Sequence, residues 1–215
     1  PPTLIRNANV FAPEALGLRQ VLIGGGKILW IGAADAPAPS IPGLETFDAG
    51  GRRLIPGLID GHAHITGGGG EGGFATRVPP VPLSRFTRAG VTTVVGTLGT
   101  DDLARSPGEL LASAYALREQ GMSAFVWCGG YHVPPATLTG SVRGDIVYLD
   151  PVIGVGELAI SDHRSSQPTF DEFLRIASEC HVAGLMSGKA GVLHLHLGDG
   201  PRGLELLRRA LDETE

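Results

Sequence analysis

Apolar positions along the chain fall into two regimes. Through residue 55 they come in brief β-type runs, Thr3 to Val10, Gln20 to Ile23, Lys27 to Ile31 and Glu45 to Phe47. Between them lie Gly24-Gly25-Gly26 and the Ala- and Pro-rich stretch Ala33 to Gly43, both turn-type sequence. Strands this short bury little by themselves, so this segment reads as a small β-sheet unit appended to the longer remainder of the chain. From Leu54 onward, apolar runs of strand length alternate with segments of helical period, which predicts βα repeats around a parallel sheet. The strands are expected at Leu54 to Ile59, Val91 to Thr97, Ala124 to Cys128, Val152 to Ile160 and Gly191 to Leu197. The helices are expected at Pro80 to Arg88, Pro107 to Glu119, Thr169 to Ala183 and Pro201 to Leu211. The strand runs are almost continuously apolar, as strands covered on both faces are.

Five strand–helix units are counted, within residues 56–215 of a 215-residue chain. A complete (β/α)8 barrel takes roughly 250 residues. A five-stranded doubly wound sheet therefore stands beside an incomplete barrel as the structural alternative. Hydrophobic residues make up 42% of the chain, enough for a packed core, and charged residues only 18%. The net charge of −5 argues against a nucleic-acid or anionic-membrane partner. No apolar run approaches the roughly 18 residues of a membrane span, and no signal-peptide pattern opens the chain. Cys128 and Cys180 are too few for a disulfide framework, so a reducing, cytoplasmic setting is expected. The chain opens on Pro1, as a processed or partial chain would.

The chemistry-bearing residues collect at the ends of the predicted strands. His62 and His64 follow the first of them in Ile59-Asp60-Gly61-His62-Ala63-His64. Residues two apart on extended backbone point the same way, and two convergent neutral imidazoles suit Zn2+ or a similar ion. A lone H-x-H is more often a pair of surface or core histidines; its place at a strand's C-terminal end favours a site. Glu157 interrupts the apolar run Val155 to Ile160, where a carboxylate is costly unless paired or bound to a cation. His194 and His196 share one parity on the fifth strand, so spacing alone does not decide which is a ligand and which a packed histidine. Glu71 closes the run Gly67 to Gly70, which lets backbone approach a ligand closely or serves as a mobile linker. Tyr131 and His132, then Asp162, His163 and Arg164, lie in loops after the third and fourth strands; Thr100 and Asp101 follow the second. A phenol there can polarise a carbonyl and a guanidinium can clamp a carboxylate.

Taken together, these segments resemble the amidohydrolase superfamily and, within it, the isoaspartyl (β-aspartyl) dipeptidases. The element Pro56-Gly57-Leu58-Ile59-Asp60-Gly61-His62-Ala63-His64 marks the superfamily. Gly67 to Glu71 and Ser161-Asp162-His163-Arg164-Ser165 mark the dipeptidases, with Val95 to Asp101, Tyr131 to Pro134 and His196 to Asp199 also in order. The resemblance implies a (β/α)8 TIM barrel from residue 56, with a small β-sandwich unit over residues 1–55. It implies hydrolysis of β-aspartyl dipeptides by a metal-bridging hydroxide on two Zn2+ ions. His62, His64, Glu157 and His196 would be the metal ligands, and Tyr131 would polarise the scissile carbonyl. Glu71 would hold the substrate's α-amino group and Arg164 its α-carboxylate, with Thr100 and Gly69 helping to place it. The partner is then a small isoaspartyl dipeptide, and related enzymes suggest a homo-oligomer.

Two features depart from the dipeptidase pattern. The bridging ligand there is commonly a carboxylated lysine, whereas the only lysines here are Lys27 and Lys189, and Glu157 stands at that position. A further histidine ligand, a second arginine and the general-base aspartate belong to later strands, so the chain reads as the N-terminal part of a longer enzyme. The competing readings are another amidohydrolase acting on cyclic amides, dihydroorotase-like, and a non-catalytic barrel scaffold.

Overall fold

A computed structural model describes residues 1–214. They divide into two compact units at Gly57–Leu58, where Pro56 and Gly57 interrupt the run expected as one strand from Leu54 to Ile59. Proline has no N–H for a ladder, and glycine beside it favours a break.

In the first unit, strands β1 (Thr3–Phe11), β2 (Ala15–Gly24), β3 (Lys27–Ala33), β4 (Glu45–Asp48) and β5 (Arg53–Leu54) are paired. The strands expected to form a small β-sandwich join in one mixed sheet of order β3-β2-β1-β4, with β5 also on β1. β1 is long enough to carry β4 parallel along its first half and β5 parallel along its second. β2 and β3 form a hairpin through Gly25-Gly26, both at positive φ (58° and 73°), the pair of conformations a tight primed turn demands. The core is small: Ala8, Val10, Val21 and Ala49, with Ile5, Leu16, Ile23 and Leu54 against them.

In the second unit, β6 (Leu58–Ala63), β7 (Val91–Gly96), β8 (Ser123–Cys128), β9 (Val152–Ile160) and β10 (Val192–Leu197) form one parallel sheet. Their spatial order is their chain order, β6-β7-β8-β9-β10. A doubly wound sheet reverses direction partway so that helices cover both faces. Here every crossover steps the same way, so right-handed connections put every helix on one face and the sheet curls as a barrel wall. The helices are α1 (Leu83–Arg88), α2 (Pro107–Glu119), α3 (Val142–Tyr148), α4 (Phe170–Ser187) and α5 (Glu205–Glu213). Ser106 caps α2 ahead of Pro107, and a Thr169–Glu172 capping box opens α4, which closes on Gly188 in the left-handed region.

α3 is not among the predicted helices. Its seven residues include three β-branched ones and a glycine, which reads against a helix, and Ser141 caps it by accepting from the Gly144 N–H. Leu98, Leu110, Val126, Ile146, Val155, Leu158 and Phe173 anchor the core between sheet and helices. Cys128 and Cys180 are buried free thiols. Among the described residues, no helix is long and apolar enough to cross a membrane.

Candidate active site

The later start of β6 places His62 inside the strand and His64 one residue beyond it, at the C-terminal end of the sheet. From β9, Glu157 points to the same spot. His62 Nε2 lies 3.3 Å from Glu157 Oε2 and His64 Nε2 lies 3.8 Å from Oε1. Ligand atoms of all three residues fall within 4.8 Å of one another, as a shared cation requires. Glu157 is wholly buried, and its Oε2 accepts no hydrogen bond; Thr97 Oγ1 donates to Oε1 at a long 3.5 Å. Burial pushes the Glu157 carboxyl up to about 7, against smaller pulls from Thr97 and Arg164. Burial also lowers the pKa of His62 and His64, which keeps their nitrogen lone pairs free for a metal. An orphaned buried acid facing two neutral imidazoles fits a divalent ion. Gly99, at φ +80°, leaves the room: a Cβ there would sit 2.8 Å from His64 Cε1.

The two histidines of β10 take different surroundings. His194 Nε2 is 2.9 Å from His62 Nδ1, on the far side of that ring from Glu157, and its ring stacks on Trp127 at 5.2 Å. His196 Nδ1 is 3.4 Å from Glu157 Oε2 and 2.8 Å from the Tyr131 hydroxyl. Its Nε2 meets Asp162 Oδ2 at 2.9 Å and Arg164 Nη2 at 3.2 Å. His196 is thus beside the acid but outside the three-residue cluster that converges within 4.8 Å.

Beyond His196 lies a polar network. Arg164 donates through Nε to Asp162 Oδ1 (3.0 Å), through Nη2 to Oδ2 (2.8 Å) and through Nη1 to Glu71 Oε1 (3.1 Å). Thr100 Oγ1 donates to Glu71 Oε2 at 3.5 Å. Asp162 is buried, and the guanidinium holds its carboxyl far below the usual range. The Glu71 backbone N–H, with Arg164 and Thr100 adding to it, lowers the Glu71 carboxyl too. Burial, then the nearby Glu157 carboxylate, pushes the Tyr131 phenol well above its ordinary value, so it is a neutral donor across the working pH range. Arg164 also covers the Tyr131 ring, 5.3 Å from its centroid.

His62, His64, Glu157, His196, Tyr131, Arg164, Glu71 and Thr100 are therefore gathered at one end of the sheet. His163 is not: its side chain is 81% exposed. His132 turns to Asp102 instead, at 2.9 Å. The glycine run is ordered rather than a free linker, since Gly68 and Val78 exchange both backbone hydrogen bonds. Sequence reasoning does not single out Arg105, Trp127 or Thr97. Arg105 is buried and donates to the backbone of the glycine run, Gly69 included, although in sequence it follows acidic residues like any surface arginine.

No family model matches the chain. Among curated proteins, an imidazolonepropionase of Acidiphilium cryptum (strain JF-5) is 33% identical over 152 residues, 65% of this chain and 37% of that protein. One from Methylobacterium sp. (strain 4-46) is 35% identical over 151 residues, with the same coverage. Among solved structures, the β-aspartyl dipeptidase of Fervidobacterium islandicum AW-1, determined in complex with a β-Asp-Leu dipeptide, is 50% identical with a TM-score of 0.93. It matches 100% of this chain and 56% of its own. The L-hydantoinase of Arthrobacter aurescens shares the fold at a TM-score of 0.60 and 18% identity. The chain spans about a third of the curated relatives' length and a little over half of the dipeptidase's.

Proposed function

The chain is recognised as β-aspartyl dipeptidase-like, within the amidohydrolase superfamily and over its whole length, and from that premise we propose that it carries the metal- and head-group-binding part of an enzyme that hydrolyses β-aspartyl dipeptides. The observation that carries this reading is the wholly buried, unpartnered Glu157 oxygen facing two neutral imidazoles, beside a paired cation and anion of opposite task.

His62, His64 and Glu157 would hold the cation, with His196 the further ligand, and zinc is the ion of the proposal, two per complete enzyme. When bound, such an ion lowers the pKa of a water and polarises a carbonyl. The chain's own residues do the rest. Tyr131, held neutral by burial, donates its hydroxyl hydrogen to the scissile carbonyl as negative charge develops there. In the free site that hydroxyl lies 2.8 Å from His196 Nδ1, so it starts beside the further ligand. Glu71 takes the substrate's α-ammonium, Arg164 its α-carboxylate, and Thr100 with Gly69 lines the same end. Asp162 fixes the Arg164 fork by two hydrogen bonds, so the guanidinium meets the carboxylate without rearranging. In the free site Arg164 and Glu71 satisfy each other at 3.1 Å, and a zwitterionic head replaces that single pair with two. The same reading makes the enzyme a cytoplasmic homo-oligomer.

The likeness to imidazolonepropionases favours a second reading, hydrolysis of a cyclic amide. Assaying the complete metal-loaded protein with β-Asp-Leu and with dihydroorotate separates the two. Turnover of the dipeptide, abolished by a chelator and restored by zinc, is expected; turnover of the cyclic amide alone would reverse the assignment.

A further inference from the structure

Glu71 rides on a long connection between β6 and α1 whose only helical piece is the short turn Phe74–Thr76, yet its carboxylate has to meet an ammonium at a fixed point. We propose that buried Arg105 is the positioning residue that fixes this connection, and so sets affinity for the aspartyl head rather than the rate of the chemistry. The inference rests on the dipeptidase reading above.

Arg105 is 2% exposed, and its guanidinium gathers three backbone carbonyls of the connection: Thr66 O from Nε at 3.3 Å, Gly68 O from Nη2 at 2.7 Å and Gly69 O from Nη1 at 3.1 Å. Nη1 also donates to Asp101 Oδ2 at 3.3 Å. A planar fork with fixed donor directions can serve four acceptors at once; an ammonium on a flexible stem cannot. Asp101 is anchored in turn, because its Oδ1 accepts the Ala104 N–H at 2.8 Å. Arg77, from the other end of the same connection, approaches Asp101 Oδ2 at 3.7 Å. The backbone is drawn so tight that a Cβ on Gly69, at φ +63°, would lie 2.6 Å from Thr76 O.

One buried cation thus ties the glycine run, which leads into Glu71, to Asp101, which follows Thr100. Those are the two side chains that meet at 3.5 Å over the proposed ammonium position. None of the acceptors of Arg105 belongs to the cation-binding residues. All its hydrogen bonds go to this connection and to Asp101, so its loss should act chiefly on the head-group end of the site.

Arg105→Lys in the complete, zinc-loaded protein tests this. KM for β-Asp-Leu is expected to rise about tenfold, with kcat within about threefold of the parent and zinc per chain unchanged. Succinyl-leucine, which keeps the carboxylate and amide but lacks the α-amino group, has nothing to offer Glu71. On it the variant's penalty should shrink to within about twofold. An unchanged KM, a loss confined to kcat, or an equal penalty on both substrates would each overturn the proposal. Should Arg105→Lys fail to fold, Asp101→Asn keeps the guanidinium and its three carbonyls but removes the charged acceptor. It is expected to raise KM about threefold with the same substrate contrast, and a parental KM there would overturn the proposal as well. A parent that leaves β-Asp-Leu intact refutes the dipeptidase reading itself, a result distinct from an active parent whose variants keep its KM.

Discussion

Around Glu157 a buried acid has an oxygen with no hydrogen bond, whereas around Arg164 each of Nε, Nη1 and Nη2 has an acceptor. Both regions sit at the C-terminal ends of β6 to β10 and both concentrate charge, but they hold it in opposite ways. At the first, burial raises the Glu157 carboxyl, and the pulls of Thr97 and of Arg164 are too small to offset it. At the second, Asp162 and Glu71 surround the guanidinium, and each carboxyl is held below its ordinary range. An isolated buried carboxylate is a standing cost that a cation removes. A satisfied ion pair is a resting state that a ligand has to open. On the proposed reading, the metal end would be completed by its ligand, and the head-group end would exchange partners with its own.

The largest effect should come from breaking the first region. Glu157→Gln removes the only acid of the three-residue cluster. Zinc content measured by elemental analysis is expected to fall below about a tenth of the parent, and β-Asp-Leu turnover by roughly 10³-fold. The pH dependence sharpens the point. The folded Glu157 carboxyl, at about 7, stands above its ordinary value of 4.5, so the folded metal-free protein holds a proton there that the unfolded chain has lost. That contribution to stability is complete below about 4.5 and is lost as pH rises through about 7. Thermal unfolding in chelator should therefore fall in Tm across that window for the parent and lose this component in Glu157→Gln. Zinc needs the deprotonated acid, so the stabilisation it adds should grow over the same interval.

The second region should break more gently. Arg164→Lys keeps one positive charge but loses the bidentate grip on Asp162 and the simultaneous reach to Glu71. KM for β-Asp-Leu is expected to rise roughly 10²-fold with zinc content unchanged. A variant that lost zinc as well would erase the division between the two ends.

How far this division is legible in the sequence depends on which force marks a residue. Glu157 stands out because a carboxylate inside Val155 to Ile160 contradicts its own strand, and the alternation of His62 and His64 needs only an extended backbone. The parallel sheet is legible from apolar runs of strand length, but β6 begins at Leu58 because Pro56 breaks the pattern locally, which period alone does not reveal. α3 is hidden by its brevity and by Ser141, whose cap outweighs the low propensity of Val142 and Gly144. His194 and His196 share a parity, so only the register of β10 on β9, with its irregularity between Leu193 and Leu195, distinguishes their surroundings. Arg105 is invisible for a different reason. Three of its four acceptors are backbone carbonyls some 36 to 39 residues away, and a carbonyl carries no sequence; the fourth, Asp101, reads as an ordinary pair four residues apart.

The smallest expected effect lies behind the metal end, at His194. A ligating His62 would use Nε2 toward Glu157, which leaves its Nδ1 to carry the proton and donate it to His194 Nε2 at 2.9 Å. Trp127 holds the acceptor ring by stacking at an interplanar angle of 13°, and its Nε1 donates to Gly61 O, inside the strand that carries His62. His194→Phe keeps a flat ring on Trp127 and removes only the acceptor. Zinc affinity measured by chelator competition should weaken about tenfold, the usual scale for losing such a support, while KM for β-Asp-Leu at saturating zinc stays within about twofold. His194→Ala, which also empties the stack, should weaken zinc further. An equal loss in the two variants would mean that the ring's packing, and not its nitrogen, orients His62.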